Sequence, residues 1–169
     1  MSQNDAMAYK KSGTRNLNKG DYKQAAADYT QAINLMPNDA ELYVNRSSAY
    51  CGIGVIRKDP SSFDRAIEDI GQALKLNPDF AAAYSVRGSI YFSKGENDKA
   101  IEDYNRAIQL DSADDNAYYC RGCAYVSKGE YDRGIKDLET ALRINPNHPD
   151  ARRHIELARN LQKMQIKHL

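Results

Sequence analysis

The stretch Ala81–Asp114, AAAYSVRGSIYFSKGENDKAIEDYNRAIQLDSAD, decides the fold because the chain repeats it. A step of 34 residues takes Tyr84 to Tyr118, Arg87 to Arg121, Gly88 to Gly122 and Tyr91 to Tyr125. The same step takes Gly95 to Gly129, Tyr104 to Leu138 and Ala107 to Ala141. Backwards, with one insertion allowed, it lands on Tyr43, Arg46, Ser47, Tyr50, Ala66, Ile70, Ala73 and Pro78. A fixed period of this length marks a stacked repeat array, in which each unit buries its apolar face against its neighbours.

Each unit reads as helix, tight turn, helix, turn. In the first, residues 6–39, Gly20 suits a left-handed helix cap and Asp21 can start the next helix. Ala25, Tyr29, Ala32 and Ile33 then recur at helical spacing as one apolar stripe, and Pro37 stops the helix. Residues 1–5 are expected to be a polar, frayed tail. The second unit, residues 40–80, is seven residues over the period. The surplus falls within residues 51–63, between the two helices, and is expected to be a surface loop, where added length costs little, with a partner contact as the alternative. Val55 and Ile56 either prolong the first helix or fold over its end, and Asp59-Pro60-Ser61-Ser62 places the next helix start near Ser61 or Ser62. Units three and four span residues 81–114 and 115–148. Residues 149–169 carry Ala151, Ile155, Ala158 and Gln162 on one helical face, with Arg152, Arg153, Arg159, Lys163 and Lys167 mostly elsewhere. That segment is read as a solvating helix for the end of the array, the alternative being that its five basic residues, against Asp150 and Glu156, mark an acidic partner.

Small residues recur in phase: Gly13, Ser47, Gly88 and Gly122 on the first helices, Ala25, Ala66, Ala100 and Gly134 on the second. A helical glycine costs about 1 kcal/mol relative to alanine, so its recurrence implies close approach of two backbones. Twelve tyrosines and no tryptophan fill the flanking space.

These residues closely resemble the tetratricopeptide repeat (TPR) family. Tyr84, Gly88, Tyr91, Ala100, Tyr104 and Ala107 answer its pattern in the third unit, with Ser112 where proline would stand. Departures are Asn16 in place of Tyr, Gly134 in place of Ala, which is expected to loosen the last pair, and Arg at the seventh slot of units two to four. The resemblance implies an all-α, right-handed superhelical solenoid of four repeats plus the C-terminal helix. It also implies that the first helices line a concave face holding a peptide or protein segment. The matching slots are Lys10, Thr14 and Leu17; Val44, Asn45, Ser48 and Cys51; Ser85, Val86, Ser89 and Phe92; and Asn116, Tyr119, Cys120, Cys123 and Val126. Such a lining suits a largely neutral segment, with Asn45 able to bond a main-chain amide. Val44, Val86 and Val126 are equally readable as packing between units.

One subgroup of the family grips the C-terminal carboxylate of heat-shock chaperones with a basic clamp. Lys10 and Asn45 match it, but Thr14, Ala82 and Val86 occupy the other three positions. Without the two cations of the third unit, the charge-assisted bonds a carboxylate needs are mostly lost.

Composition narrows the remaining classes. Net charge is +1 with 28% charged residues of alternating sign, which argues against a nucleic-acid partner. No run of about 20 apolar residues is present, so no membrane span is expected. The opening MSQNDAMAYKK has no apolar signal core, and Ser2 excludes a myristoylated glycine there. Three cysteines, an odd number, read as reduced thiols in a cytoplasmic protein. Cys120-Arg-Gly-Cys123 has redox or zinc spacing, yet it falls mid-helix, with Cys51 the only other thiol and His148, His154 and His168 toward the other end. It is read as two small groove residues, with no metal or cofactor. Glu102, Asp103 and Arg106 are read as solvated surface pairs. No arrangement of residues recommends an enzyme. The expected function is a protein-binding adaptor, as a monomer or weak homo-oligomer. The alternatives are a structural or self-assembling array joined through end faces or the C-terminal helix, and a co-chaperone-like adaptor with a degenerate clamp.

Overall fold

Aspartates start four of the described helices, and glycines follow the ends of three. Asp21, Asp39, Asp59 and Asp114 each accept a first-turn backbone amide, from Gln24, Glu41, Ser61 and Ala117. Gly20, Gly95 and Gly129 all sit at φ 78°, the left-handed region that a side chain resists. There the amides of Asp21, Glu96 and Glu130 turn back to the carbonyls of Asn16, Tyr91 and Tyr125. The structure, a computed structural model, describes residues 3–167, with side chains through Gln165. Among them are α1 (Gln3–Asn18), α2 (Tyr22–Leu35), α3 (Ala40–Arg57), α4 (Pro60–Leu76) and α5 (Ala81–Ser93). Then follow α6 (Asn97–Leu110), α7 (Asp115–Ser127), α8 (Tyr131–Ile144) and α9 (Ala151–Lys167), with no strand among the described residues. The fold class is all-α, as the periodicity predicts. No helix is long and apolar enough to cross a membrane among the described residues. The N-terminal reading needs correction, because residues 3–5 already belong to α1. His168 lies outside the described residues, as does the Lys167 side chain.

The chain divides into two compact units, Met1–Ile90 and Tyr91–Leu169. In the first, α1 packs on α2, α2 on α3 and α3 on α4, with α1 also touching α3. Its core holds Ala25, Tyr29, Ala32 and Leu42 in one cluster, and Phe63, Ala66, Ile70 and Ile90 in another. In the second, α7 packs on α6 and α8, and α9 lies against α8 and touches α7. Ala151, Ile155 and Ala158 form the buried face of α9, but its outer face is not fully polar: Leu157 and Met164 are about half exposed.

The surplus residues of the second repeat are not a loop. α3 has 18 residues where α5 has 13, and α4 has 17 where α6 has 14. The turn between them, Lys58 and Asp59, is correspondingly short. Two glycines anchor this longer hairpin. A Cβ on Gly52 would stand 2.6 Å from the Tyr22 ring, and one on Gly54 would stand 3.0 Å from the Phe63 ring. The helix start also moves: Asp59 caps α4, Pro60 opens it, and hydrogen bonds from Ser62 and Ser61 hold the Asp59 carboxyl below its usual range. Lys58, at φ 52°, occupies the cap position that glycine holds elsewhere.

Gly134 is also a packing requirement rather than a loosened contact. Its added Cβ would meet Val126 Cγ2 at 2.6 Å and the Gly122 carbonyl oxygen at 2.9 Å. Gly122 reciprocates, with the Gly134 carbonyl oxygen 3.0 Å from its own added Cβ. Gly71, inside α4, has nothing within 4 Å.

Three outcomes follow, each measurable by urea denaturation. Gly71→Ala stabilises the protein by about 0.5–1 kcal/mol through helix propensity, whereas Gly134→Ala destabilises it by about 1–2 kcal/mol because overpacking against backbone exceeds that gain. Lys58→Gly relieves left-handed strain and stabilises by about 1 kcal/mol.

Candidate functional site

What fixes the first helices is a buried charge on each second helix. Asp28, Asp69, Asp103 and Asp137 are all less than 8% exposed, although carboxylates are rarely buried without partners. Reading Asp103 as a solvated surface group is therefore corrected. In the first unit, Arg46 on α3 holds Asp69 on α4 through two bonds, 2.8 Å from Nε and 2.6 Å from Nη2. Its third nitrogen donates to Thr30 on α2 at 3.1 Å. In the second unit, Arg121 on α7 repeats the geometry with Asp137 on α8, at 2.7 and 2.8 Å, and reaches Asn105 on α6 at 2.6 Å. One guanidinium thus ties its own hairpin together and joins it to the preceding one. The Asp69 hydrogen bonds hold Arg46 above its ordinary pKa; at Arg121 burial works against the charge, and the Asp137 bonds outweigh it. At Arg46 and Arg121 the seventh-slot arginine is thus structural. In the first hairpin Ser12 stands at that slot, and Asp28 instead accepts from Asn16 and Gln24, each at 2.8 Å. That explains Asn16 where the family has tyrosine.

With the backbones so placed, the expected site residues fall into different states. In the first unit, the Lys10 ammonium is occupied, 2.7 Å from Glu41 and 3.2 Å from Asp39. Partial burial opposes its charge, but these two carboxylates raise its pKa nonetheless. Thr14 donates to the Lys10 carbonyl and accepts from the Tyr29 hydroxyl. Ser48 and Ser89 turn back to the carbonyls of Val44 and Ser85. Val44 is 4% exposed and sits in the core, and Val86 packs half-buried against the same cluster, so both serve packing. Asn45 differs: half-buried on α3, its carboxamide has no partner among the described residues.

In the second unit, Phe92 packs beside Ile101, Ala124 and Tyr125. Tyr119 is not an open groove residue. Its ring stacks against His148 at 4.4 Å between centroids and meets His154 edge-on at 5.4 Å. Its hydroxyl lies 3.2 Å from His154 Nδ1. Burial, with Cys123 and Asp150 nearby, raises the Tyr119 pKa. Cys120 and Cys123 stand one turn apart in the middle of α7, both half-buried. Burial pushes the Cys123 thiol up to about 11, so it stays protonated at neutral pH and is a poor nucleophile. Among the described residues no group of three or more His, Cys, Asp or Glu is arranged to hold a metal.

Comparison with known proteins agrees with this geometry. Profiles of the TPR repeat match residues 88–127, and those of the tetratricopeptide repeat match 16–39 and 116–148. A crystal structure of MamA protein is 30% identical, covering 96% of this chain and 87% of that one, with a TM-score of 0.69. The chain belongs to the tetratricopeptide repeat family. The thermophilic TPR protein TTC0263 of Thermus thermophilus shares the fold at TM-score 0.83 and 23% identity, over 91% of this chain and 81% of that one. The first TPR of Spaghetti (RPAP3), solved bound to the HSP90 peptide SRMEEVD, is 27% identical over 73% of this chain and 93% of its own, with a TM-score of 0.62. TPR folds of this kind are protein-interaction modules.

Removing the guanidinium of this TPR protein strands a buried carboxylate. Arg121→Ala is expected to cost about 3 kcal/mol in urea denaturation, whereas the double change Arg121→Met, Asp137→Leu restores most of it.

Proposed function

We propose that this TPR protein binds a protein or peptide segment along the first helices of its repeats, as an adaptor without enzymatic activity. The repeats are taken as residues 6–39, 40–80, 81–114 and 115–148, followed by the C-terminal helix. The observation that carries the reading is Asn45. A half-buried carboxamide whose donors and acceptor are unused is suited to bond an extended main chain, which offers the complementary pair at every residue. Around it the lining is electrically quiet. Lys10 is neutralised by Asp39 and Glu41, and Ala82 and Val86 bring no charge. A terminal carboxylate of the kind in the peptide bound to RPAP3 would have to displace two carboxylates from Lys10 and would find no second cation at those slots. A neutral segment faces neither cost.

A self-assembling array is the competing reading, favoured by Leu157, Leu161 and Met164, which recur at helical spacing on the outer side of α9, the first and last about half exposed. Sedimentation separates the two, since a strict monomer at high concentration removes the second.

The test is site-directed photocrosslinking from position 48, in the source cell, comparing the native protein with Asn45→Ala. A specific crosslinked protein is expected, and the substitution weakens its capture about fivefold, the worth of one net hydrogen bond. Titration with a peptide ending in EEVD is expected to give no micromolar binding; binding at that level, abolished by Lys10→Ala, moves the assignment to the carboxylate clamp.

A further inference from the structure

The turns between first and second helices carry a polar clasp that is missing from one copy. In the second unit, Asp98 at the start of α6 accepts from Lys128, 30 residues on, at 2.6 Å. One repeat later, Asp132 at the start of α8 accepts from Gln162, also 30 residues on, at 2.7 Å. The corresponding pair in the first unit is Lys23 and Ile53. The carboxylate is replaced by a cation, and its partner by an apolar side chain.

Among the described residues, no hydrogen bond or ion pair at Lys23 replaces that clasp. Lys23, Ile53, Tyr22, Ile56 and Arg57 line a cleft of about 200 Å³ between the α1–α2 turn and the end of α3. Ile56 is 69% exposed and Val55 55%, placing both among the most exposed large apolar side chains described. Lys23 in the lining, and Lys19 and Lys58 next to it in sequence, are exposed and without a carboxylate partner among the described residues. Arg57 adds a fourth cation, with Asp59 in its field. The carboxylate of the lining, Asp21, is turned to the Gln24 amide at 3.2 Å as a helix cap. In the equivalent clefts of the second unit, the charges satisfy one another: Lys128 with Asp98 and Glu130, and Arg133 with Glu130. The mismatch lies where the first hairpin meets the longer hairpin that carries the seven extra residues.

From this we infer a second docking surface, separate from the first-helix face: the cleft at Lys23 and Ile53 takes an acidic protein segment with one apolar anchor residue. The cleft receives the anchor, Ile56 and Val55 cover it, and the surrounding cations meet flanking Asp or Glu side chains. A concave cleft favours a protein side chain over a lipid surface, which would need only exposed apolar groups.

The experiment uses the full chain labelled with ¹⁵N and the peptide Glu-Asp-Glu-Leu-Glu-Asp-Glu as probe. Saturable shifts are expected at residues 19–23 and 53–58, weakening at least fivefold with Leu→Ser in the peptide, with Lys23→Glu in the protein, or on raising salt from about 20 to about 300 mM. The double variant Lys23→Asp, Ile53→Lys rebuilds the clasp of the other repeats and is expected to lose the shifts while keeping the native melting temperature. Absence of saturable shifts, or shifts indifferent to Lys23→Glu, overturns the proposal. So does Ile56-dependent sedimentation with phosphatidylserine vesicles without peptide binding, which assigns the patch to a lipid surface. An Ile56-dependent dimer in sedimentation velocity overturns it in favour of a second copy of the chain.

Discussion

A carboxylate buried on a second helix is the constraint around which each hairpin is arranged. Its burial has to be offset by a donor at the right height on the first helix, and a guanidinium is the side chain that does so with two parallel bonds and a nitrogen to spare. The spare nitrogen is what turns a local pair into a link between hairpins: Arg46 reaches Thr30, and Arg121 reaches Asn105. A repeat array needs such neighbour terms, because no unit buries enough apolar surface alone. Tyr43 and Tyr118, a turn before each arginine, give the flat cation a ring face 5.8 and 5.4 Å away. The glycines then have a reason to be there. With the hairpin drawn together, Gly122 and Gly134 bring each other's carbonyls to about 3 Å from where a side chain would begin.

The periodic part of this was legible in the sequence. Helix starts at Asp21 and stops at Gly20 follow from local chemistry, and the stripe Ala25, Tyr29, Ala32 and Ile33 follows from spacing. What spacing does not carry is who meets whom across the hairpin. Asp103 and Asp137 look like any charge on a solvated face, and only the three-dimensional pairing shows them buried. Their recurrence in phase with Asp28 and Asp69 was the available signal, since random surface charge has no reason to keep a period. Gly134 misled for the same reason: a glycine in place of alanine reads as a gap unless Gly122 is known to face it. Tyr119 reads as an open-face residue because what covers it, His148 in the turn that closes the last repeat and His154 on α9, follows from no family slot.

The face of the first helices is chemically quieter than its residue types suggest. Lysine, threonine and serine at groove slots are polar on paper. Here the Lys10 cation is neutralised, the Ser48 and Ser89 hydroxyls turn to their own helix, and Tyr119 is enclosed by imidazoles. Asn45, by contrast, keeps a half-buried carboxamide with no partner among the described residues. Polarity that a fold has already spent on itself offers little to a ligand, which is why side-chain identity alone overstates the charge of such a surface.

The long hairpin of the second repeat behaves unlike the loop its sequence suggests. A loop absorbs one residue more or less by changing its path, but a helix answers with a rotation of about 100° and a rise of about 1.5 Å. In α3 that rotation would carry Gly52 and Gly54 away from the Tyr22 and Phe63 rings that rest on them. The tip at Val55 and Ile56 is largely exposed, so the fold itself places little demand on its chemistry. Its length is not free. As far as the fold is concerned, the exposed tip alone is open to substitution, and the segment is closed to insertion, the reverse of an ordinary surface loop.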